Sequence, residues 1–292
     1  ALAGPEGERL TAFWREALAG ELPPLDLPTD RARPPVQTWN GAAERVALPP
    51  ALAPAVREIG RSAGASPFMT LAAAFAALLH RWTGQETLTL GTPTAGRRRA
   101  AVADLVGYFV NPVLLRTELA GDSGFEAFLG RVRSAALAAS EHQDLPFPTL
   151  VERLDPERDP SRSPLFQAMF AWQGVPAAAD PALAGFALGA EGAEIAAGGL
   201  RLRHLPLPQR MAQFELTLTL GEVAGAFAGT LDYNTDLFDA ATAARLARSL
   251  NVLLAAALAD PARPVLALPL LDETALREVV HGWNAEHADR RG

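Results

Sequence analysis

The 292-residue sequence contains no cysteine and no lysine. Without thiols there is no disulfide, no thiolate zinc site, no iron–sulfur cluster and no cysteine nucleophile. Without lysine there is no Schiff-base chemistry and no phosphate-gripping P-loop amine. Every basic side chain other than histidine is therefore arginine. The absence of cysteine fits a reducing, cytoplasmic setting. No apolar run reaches the roughly 18 residues a bilayer span requires, so no membrane partner is expected. The nearest run, about residues 68–79, reads better as a buried helix. The net charge of −7 argues against a nucleic-acid partner, which would require a cationic face. The chain opens at Ala1 without a methionine or a basic-then-apolar leader, and reads as part of a longer polypeptide.

What is present is an ordinary globular balance, 49% hydrophobic and 20% charged, with length enough for one large core. Leu10, Phe13, Trp14, Ala17 and Leu18 predict a helix over 10–19. The Pro-, Asp- and Arg-rich stretch 22–35 predicts an extended connector, because its restricted φ angles and missing donors cannot propagate a helix. Residues 45–48 predict a short strand. Ser66 and Pro67 predict a helix start, Gly84 its end, and Phe68, Leu71, Ala72, Phe75, Leu78, Leu79 and Trp82 its stripe. Strands are expected over 87–90, 113–119 and 166–172. Ser123 and Glu126 read as a capping box ahead of a helix through Phe125, Phe128, Leu129, Val132 and Ala136. Residues 177–199 read as an Ala- and Gly-dominated loop with short strands.

The alternation of Phe214, Leu216, Leu218 and Leu220 with polar neighbours predicts a half-buried strand. A second strand, ending near Tyr233, closes a hairpin. Asp239 is expected to cap a last long helix. A shorter helix follows from Glu273. Interleaved strands and helices with a late hairpin give an α/β fold: a mixed β-sheet with flanking helices.

The five histidines are His80, His142, His204, His281 and His287. No two are adjacent, and none has an aspartate four residues on, so paired metal ligands on one helical turn are absent. On spacing alone, His142-Gln143-Asp144-Leu145-Pro146-Phe147 reads as a helix-ending turn before it reads as a catalytic site. Gly121-Asp122-Ser123-Gly124 only superficially matches a serine-nucleophile segment, since Phe125 replaces the second glycine. Gly96-Arg97-Arg98-Arg99 suits either a solvated turn or an anion contact. Arg158-Asp159-Pro160-Ser161-Arg162-Ser163-Pro164-Leu165-Phe166 reads as a loop locked by charge pairs and prolines. Gly107-Tyr108-Phe109-Val110-Asn111-Pro112 sets an amide beside aromatics at a strand start, a candidate for lining a channel.

In this order and at these spacings the segments resemble the later motifs of nonribosomal peptide synthetase condensation domains. Val106 to Pro112 with Arg116 is similar to the family's glycine–aromatic–Phe-Val-Asn segment. Residues 142–147 resemble its His-Gln-Asp-x-Pro-Phe segment, and 158–166 its Arg-Asp-x-Ser-Arg-x-Pro-Leu-Phe segment. Gly91-Thr92-Pro93 with Gly96-Arg97, Asp232 to Phe238, and Leu268 to Leu271 with Trp283-Asn284 extend the likeness along the chain. Pro112, Pro148 and Glu215 depart from the commoner residues, and Pro112 points to an unusual donor.

The resemblance implies two chloramphenicol acetyltransferase-like lobes, between which a donor thioester meets an acceptor amine. Both substrates ride on phosphopantetheine arms of carrier proteins, and no cofactor is bound directly. The family's His-His-x-x-x-Asp-Gly string, which lies in its first lobe, does not occur here. The resemblance thus assigns residues 1–20 to the end of the N-terminal lobe and 21–43 to the inter-lobe connector. It assigns 44–267 to the C-terminal lobe and 268–292 to a linker toward a downstream adenylation domain. Partners are then the N-terminal lobe, the donor and acceptor carriers, and the adenylation domain. Tyr108, Phe109 and Asn111 are expected near the tunnel, and His142, Asp144, Arg158, Asp159, Ser161 and Arg162 to brace loops. Arg97 is expected to contact a carrier or its phosphopantetheine, and no residue of this chain is assigned catalysis. The fragment is expected to be inactive. Alternatives are half of an epimerization domain, a non-catalytic carrier-binding lobe, or a standalone coenzyme A acyltransferase, which would require its own histidine motif.

Overall fold

The computed structural model describes residues 4–98, 100–102, 105–119, 121, 123–175, 180, 182–190 and 192–282. Arg99, Asp122, Trp283, Asn284 and His287 lie outside the described residues.

In chain order come α1 (Pro5–Ala17), β1 (Gly41–Ala47), α2 (Leu52–Ser62), α3 (Pro67–Thr83), β2 (Thr87–Thr94) and β3 (Asn111–Glu118). There follow α4 (Phe125–Glu141), α5 (Phe147–Leu154), β4 (Ala168–Gln173), α6 (Ala182–Ala187), β5 (Glu194–Ala197) and β6 (Leu200–Arg203). The last are β7 (Leu216–Val223), β8 (Ala226–Asn234), α7 (Ala240–Ala259) and α8 (Glu273–Arg277).

Six strands form one mixed sheet in the order β1-β8-β7-β4-β2-β3. Only β7–β4 and β4–β2 are parallel. The predicted hairpin is present. Its turn places Ala224 and Gly225 at φ 50° and 82°, the successive positive angles that suit the twist of two-residue hairpins. Leu216, Leu218 and Leu220 are buried while Thr217 and Thr219 are half-buried, so the period-two pattern selects the packed face.

Helix α3 is the central helix of the core, buried continuously from Thr70 to His80 and packed against α2, α4 and α7. Its start and end are as predicted. Ser66 Oγ accepts the Met69 amide at 3.3 Å, and Gly84 takes the left-handed conformation at φ 71°. The start of α4 is different. Its N-cap is Gly124, without a side-chain cap bond. The Phe125 and Glu126 amides donate to Arg263 O and Pro261 O at 3.2 and 2.9 Å. The returning C-terminal segment thus takes the Glu126 amide that the expected capping box would have served, and the Phe125 amide besides. Asp239 does precede α7, but its carboxylate pairs with Arg31 rather than capping the helix.

Helix α2 is not foreshadowed in the sequence pattern, and a short helix, α6, stands inside the stretch that reads as a loop. By length and composition α7 is long and apolar enough on its own to cross a membrane, and α3 only together with α2 as a bent pair. Here α7 seats Leu246, Leu250, Leu253 and Leu254 in the core. Residues 5–17, assigned by resemblance to a preceding lobe, pack against α5 and the end of α4. Leu10 and Trp14 are buried, and Trp14 Nε1 donates to His142 O at 3.1 Å.

Candidate functional site

Three of the motif segments, 91–97, 106–112 and 142–147, meet where β2 ends and β3 begins. Thr94 pairs with Asn111 at the end of the ladder, and Thr94 Oγ1 donates to Asn111 O at 2.8 Å. Beyond Thr94 the chain turns through Gly96 at φ 65°. A Cβ there would lie 2.0 Å from Phe109 O, so only glycine fits. Arg97 then grips the chain that follows. Its Nη1 donates to Val102 O and Leu105 O, both at 2.7 Å, and its Nη2 to Gly107 O at 3.0 Å. The guanidinium also lies over the Phe109 ring at 4.5 Å, a cation–π contact. On this base Leu105, Val106, Tyr108 and Val110 project into solvent, with Tyr108 86% and Val106 104% exposed.

Asn111 is fixed by the neighbouring motif. Its Nδ2 donates to Gln143 O and Leu145 O, both at 2.9 Å, and its Oδ1 accepts the Phe147 amide at 2.9 Å. Both amide donors are therefore occupied by the turn from α4 to α5. The structure places Asn111 as the clamp of that turn.

His142 closes α4 and faces α1. Its Nδ1 lies 2.8 Å from Ala138 O and its Nε2 2.9 Å from Arg9 Nη1. Since a carbonyl can only accept and a guanidinium only donate, the geometry describes a ring with Nδ1–H donating and Nε2 accepting. The ring stacks on Phe13 at 3.6 Å. Asp144 does not share this bracing. It is exposed and makes no side-chain bond among the described residues, because the turn is already held through backbone groups by Asn111.

The 158–166 loop is built in the same manner. Asp159 Oδ1 accepts from the Ser161 amide at 2.8 Å and the Ser161 hydroxyl at 2.6 Å. These bonds, with Arg162 nearby, hold its carboxyl below the usual carboxylate range. Arg162 reaches Asp159 at 3.3 Å and Leu25 O at 3.2 Å. Arg158, grouped with the bracing residues, is instead exposed and without a side-chain partner among the described residues.

The anchor that sequence reasoning missed is Arg33, in the connector. It forms a two-pronged pair with Glu215 at 2.7 and 2.8 Å, with side chains only 18% and 6% exposed. The usable signal was an acidic residue breaking the apolar approach to β7, opposite a connector rich in arginine. Gln167 adds a second stitch, accepting the Leu25 amide at 2.6 Å.

His80 is a core residue. Its Nδ1 meets Gln85 O at 2.7 Å and its Nε2 meets Thr117 Oγ1 at 2.9 Å. Burial lowers its pKa to about 4. Neither His80 nor His142 thus offers an unengaged ring nitrogen to a substrate. The described motif residues build shape and surface: carbonyl-gripping and turn-clamping polar side chains beneath an exposed apolar crest.

The condensation-domain family model matches residues 1–280. One subunit of the linear gramicidin synthase of Brevibacillus parabrevis is 40% identical over 285 residues, 97% of this chain and 4% of its own length. Phosphinothricin tripeptide synthetase PhsC of Streptomyces viridochromogenes is 37% identical over 271 residues, 92% of this chain and 24% of its own. The chain thus spans a small part of the curated relatives it matches. Among solved structures, a four-domain nonribosomal peptide synthetase bound to AMP and glycine superposes with TM-score 0.81 at 26% identity. That match covers 92% of this chain and 20% of the other. The X-domain from teicoplanin biosynthesis superposes at 0.79 with 29% identity, covering 92% and 58%. With the mixed sheet, its flanking helices and the linked motif segments in place, the match over residues 1–280 shows that this chain belongs to the condensation-domain family of peptide synthetases.

Proposed function

We propose that this chain is the C-terminal lobe of a peptide synthetase condensation domain and supplies one wall of the chamber in which a carrier-bound thioester is joined to a carrier-bound amine. The carrying observation is the crest of Leu105, Val106, Tyr108 and Val110, exposed to solvent yet held on a base of hydrogen bonds from Arg97 and Asn111. Contiguous exposed apolar groups on a rigid support mark a surface made for covering. A second group of exposed apolar residues, Leu205, Leu207 and Met211, lies in the segment without regular secondary structure between β6 and β7. Both suit contact with an N-terminal lobe that brings the proton-transferring histidine. Tyr108 and Phe109 stand nearest the tunnel on this reading. Donor and acceptor carriers and a downstream adenylation domain are the further partners.

The reaction requires an amine to lose a proton as it attacks, and a developing oxyanion to be stabilised. Holding two tethered substrates in register can supply much of the acceleration. This chain contributes to that positioning and not to the proton transfer. The test is complementation. The preceding lobe of the same synthetase is produced separately and mixed with this chain, and complex formation is followed by light scattering. A one-to-one complex that forms amide from carrier-bound substrates supports the reading. Lobes that stay apart and inert, beside an active single-chain control, contradict it.

A further inference from the structure

The geometry points to Arg97 as a positioning residue that shapes the Tyr108 crest from beneath, rather than a group that touches the carrier arm itself. Three features carry this. Its guanidinium donates to three carbonyls separated along the chain, those of Val102, Leu105 and Gly107. It stacks on Phe109, the residue next to Tyr108. And Gly96, directly before it, is held without room for a Cβ against Phe109 O, which fixes the direction from which Arg97 reaches.

A planar fork with five N–H donors can serve several carbonyls at once while lying flat on a ring. An ammonium has neither the span nor the plane. Lysine is therefore expected to keep the charge and lose the shape. The catalytic half of this inference rests on the chamber reading above; the structural half does not.

The chain contains two tyrosines, Tyr108 on the crest and Tyr233 buried in β8. Incorporating 3-fluorotyrosine gives two ¹⁹F resonances, one reporting the crest and one the core. In Arg97→Ala the Tyr108 resonance should narrow and move toward that of free fluorotyrosine, with Tyr233 unmoved. Arg97→Lys should restore little of this. If Arg97→Ala disturbs Tyr233 as well, Arg97→Gln, which keeps one donor group, is read the same way.

In the two-lobed domain, Arg97→Ala should lower kcat for amide formation by roughly tenfold or more while KM for the carrier-bound acceptor changes little. An unmoved Tyr108 resonance, full rescue by lysine, or a loss confined to KM would overturn the positioning role; the last would restore a direct carrier contact. If the unmodified two-lobed domain forms no amide, the chamber reading fails, and the fluorine spectra still decide whether Arg97 shapes the crest.

Discussion

Asn111 Oδ1 accepts the Phe147 amide at 2.9 Å, and this bond joins the first residue of β3 to the first residue of α5. With the two bonds from Asn111 Nδ2 to Gln143 O and Leu145 O, it welds together two segments that lie 36 residues apart in sequence. Asn111→Ala leaves two carbonyls and one amide without their partner. The expected cost is about 2–3 kcal/mol, read as a lower urea midpoint at unchanged slope. Asn111→Asp should do no better, since a carboxylate facing two carbonyls has no proton to donate.

The buried pair Arg33–Glu215 ties the connector to the strand entry at β7. Removing one partner strands the other charge in a poorly solvated place. Arg33→Ala should therefore destabilise by about 3–5 kcal/mol. The double change Arg33→Met with Glu215→Leu should recover much of that loss. Comparing the two single variants and the double variant in a thermodynamic cycle checks both statements.

Gly91 lies directly beneath Phe166. A Cβ on residue 91 would come 2.3 Å from the ring, and the ring also packs on Phe147 and Phe214. Gly91→Ala should cost about 1–3 kcal/mol by overpacking. Adding Phe166→Leu should relieve part of that strain. Calorimetric melting of the two variants tests the pair.

His80 gives the fold an acid-side dependence. Its folded pKa is about 4 against an ordinary 6.5. Above pH 6.5 the ring is neutral in both states and its titration contributes nothing. As pH falls below 6.5, the unfolded chain takes up a proton that the folded core refuses, so stability declines. The decline levels off near pH 4, after a total of about 3 kcal/mol. His80→Gln should start from lower stability and show a flatter profile across that window, measured as midpoint against pH.

Much of this architecture was legible in the sequence where one physical signal acted alone. Ser66, Pro67 and Gly84 bracket α3 because a hydroxyl cap, a pre-set φ and a left-handed end all act locally. The hairpin was legible because one face of β7 is packed, which imposes a period of two. Helix α2 was not, because Pro49, Pro50 and Pro54 suggest extended chain. Pro54 in fact falls in the first helical turn, where its missing donor costs little. The start of α4 was misread because its donors are met by residues 261–263, more than 130 positions away, and no local pattern encodes that. The motif residues were all visible, but their division of labour was not. Asp144 and Arg158 look equivalent to their neighbours on paper, and only packing separates them from His142, Asp159 and Arg162.

The most direct test of the chamber reading follows the acyl group itself. Intact-protein mass spectrometry monitors donor and acceptor carriers mixed with this chain, or with the two-lobed domain that contains it. The expected result is transfer to the acceptor carrier only with the two-lobed domain, and none above background with this chain alone. Acceptor acylation at comparable rates with the isolated chain would show that it holds a complete reaction centre, and would contradict a chamber built from two lobes.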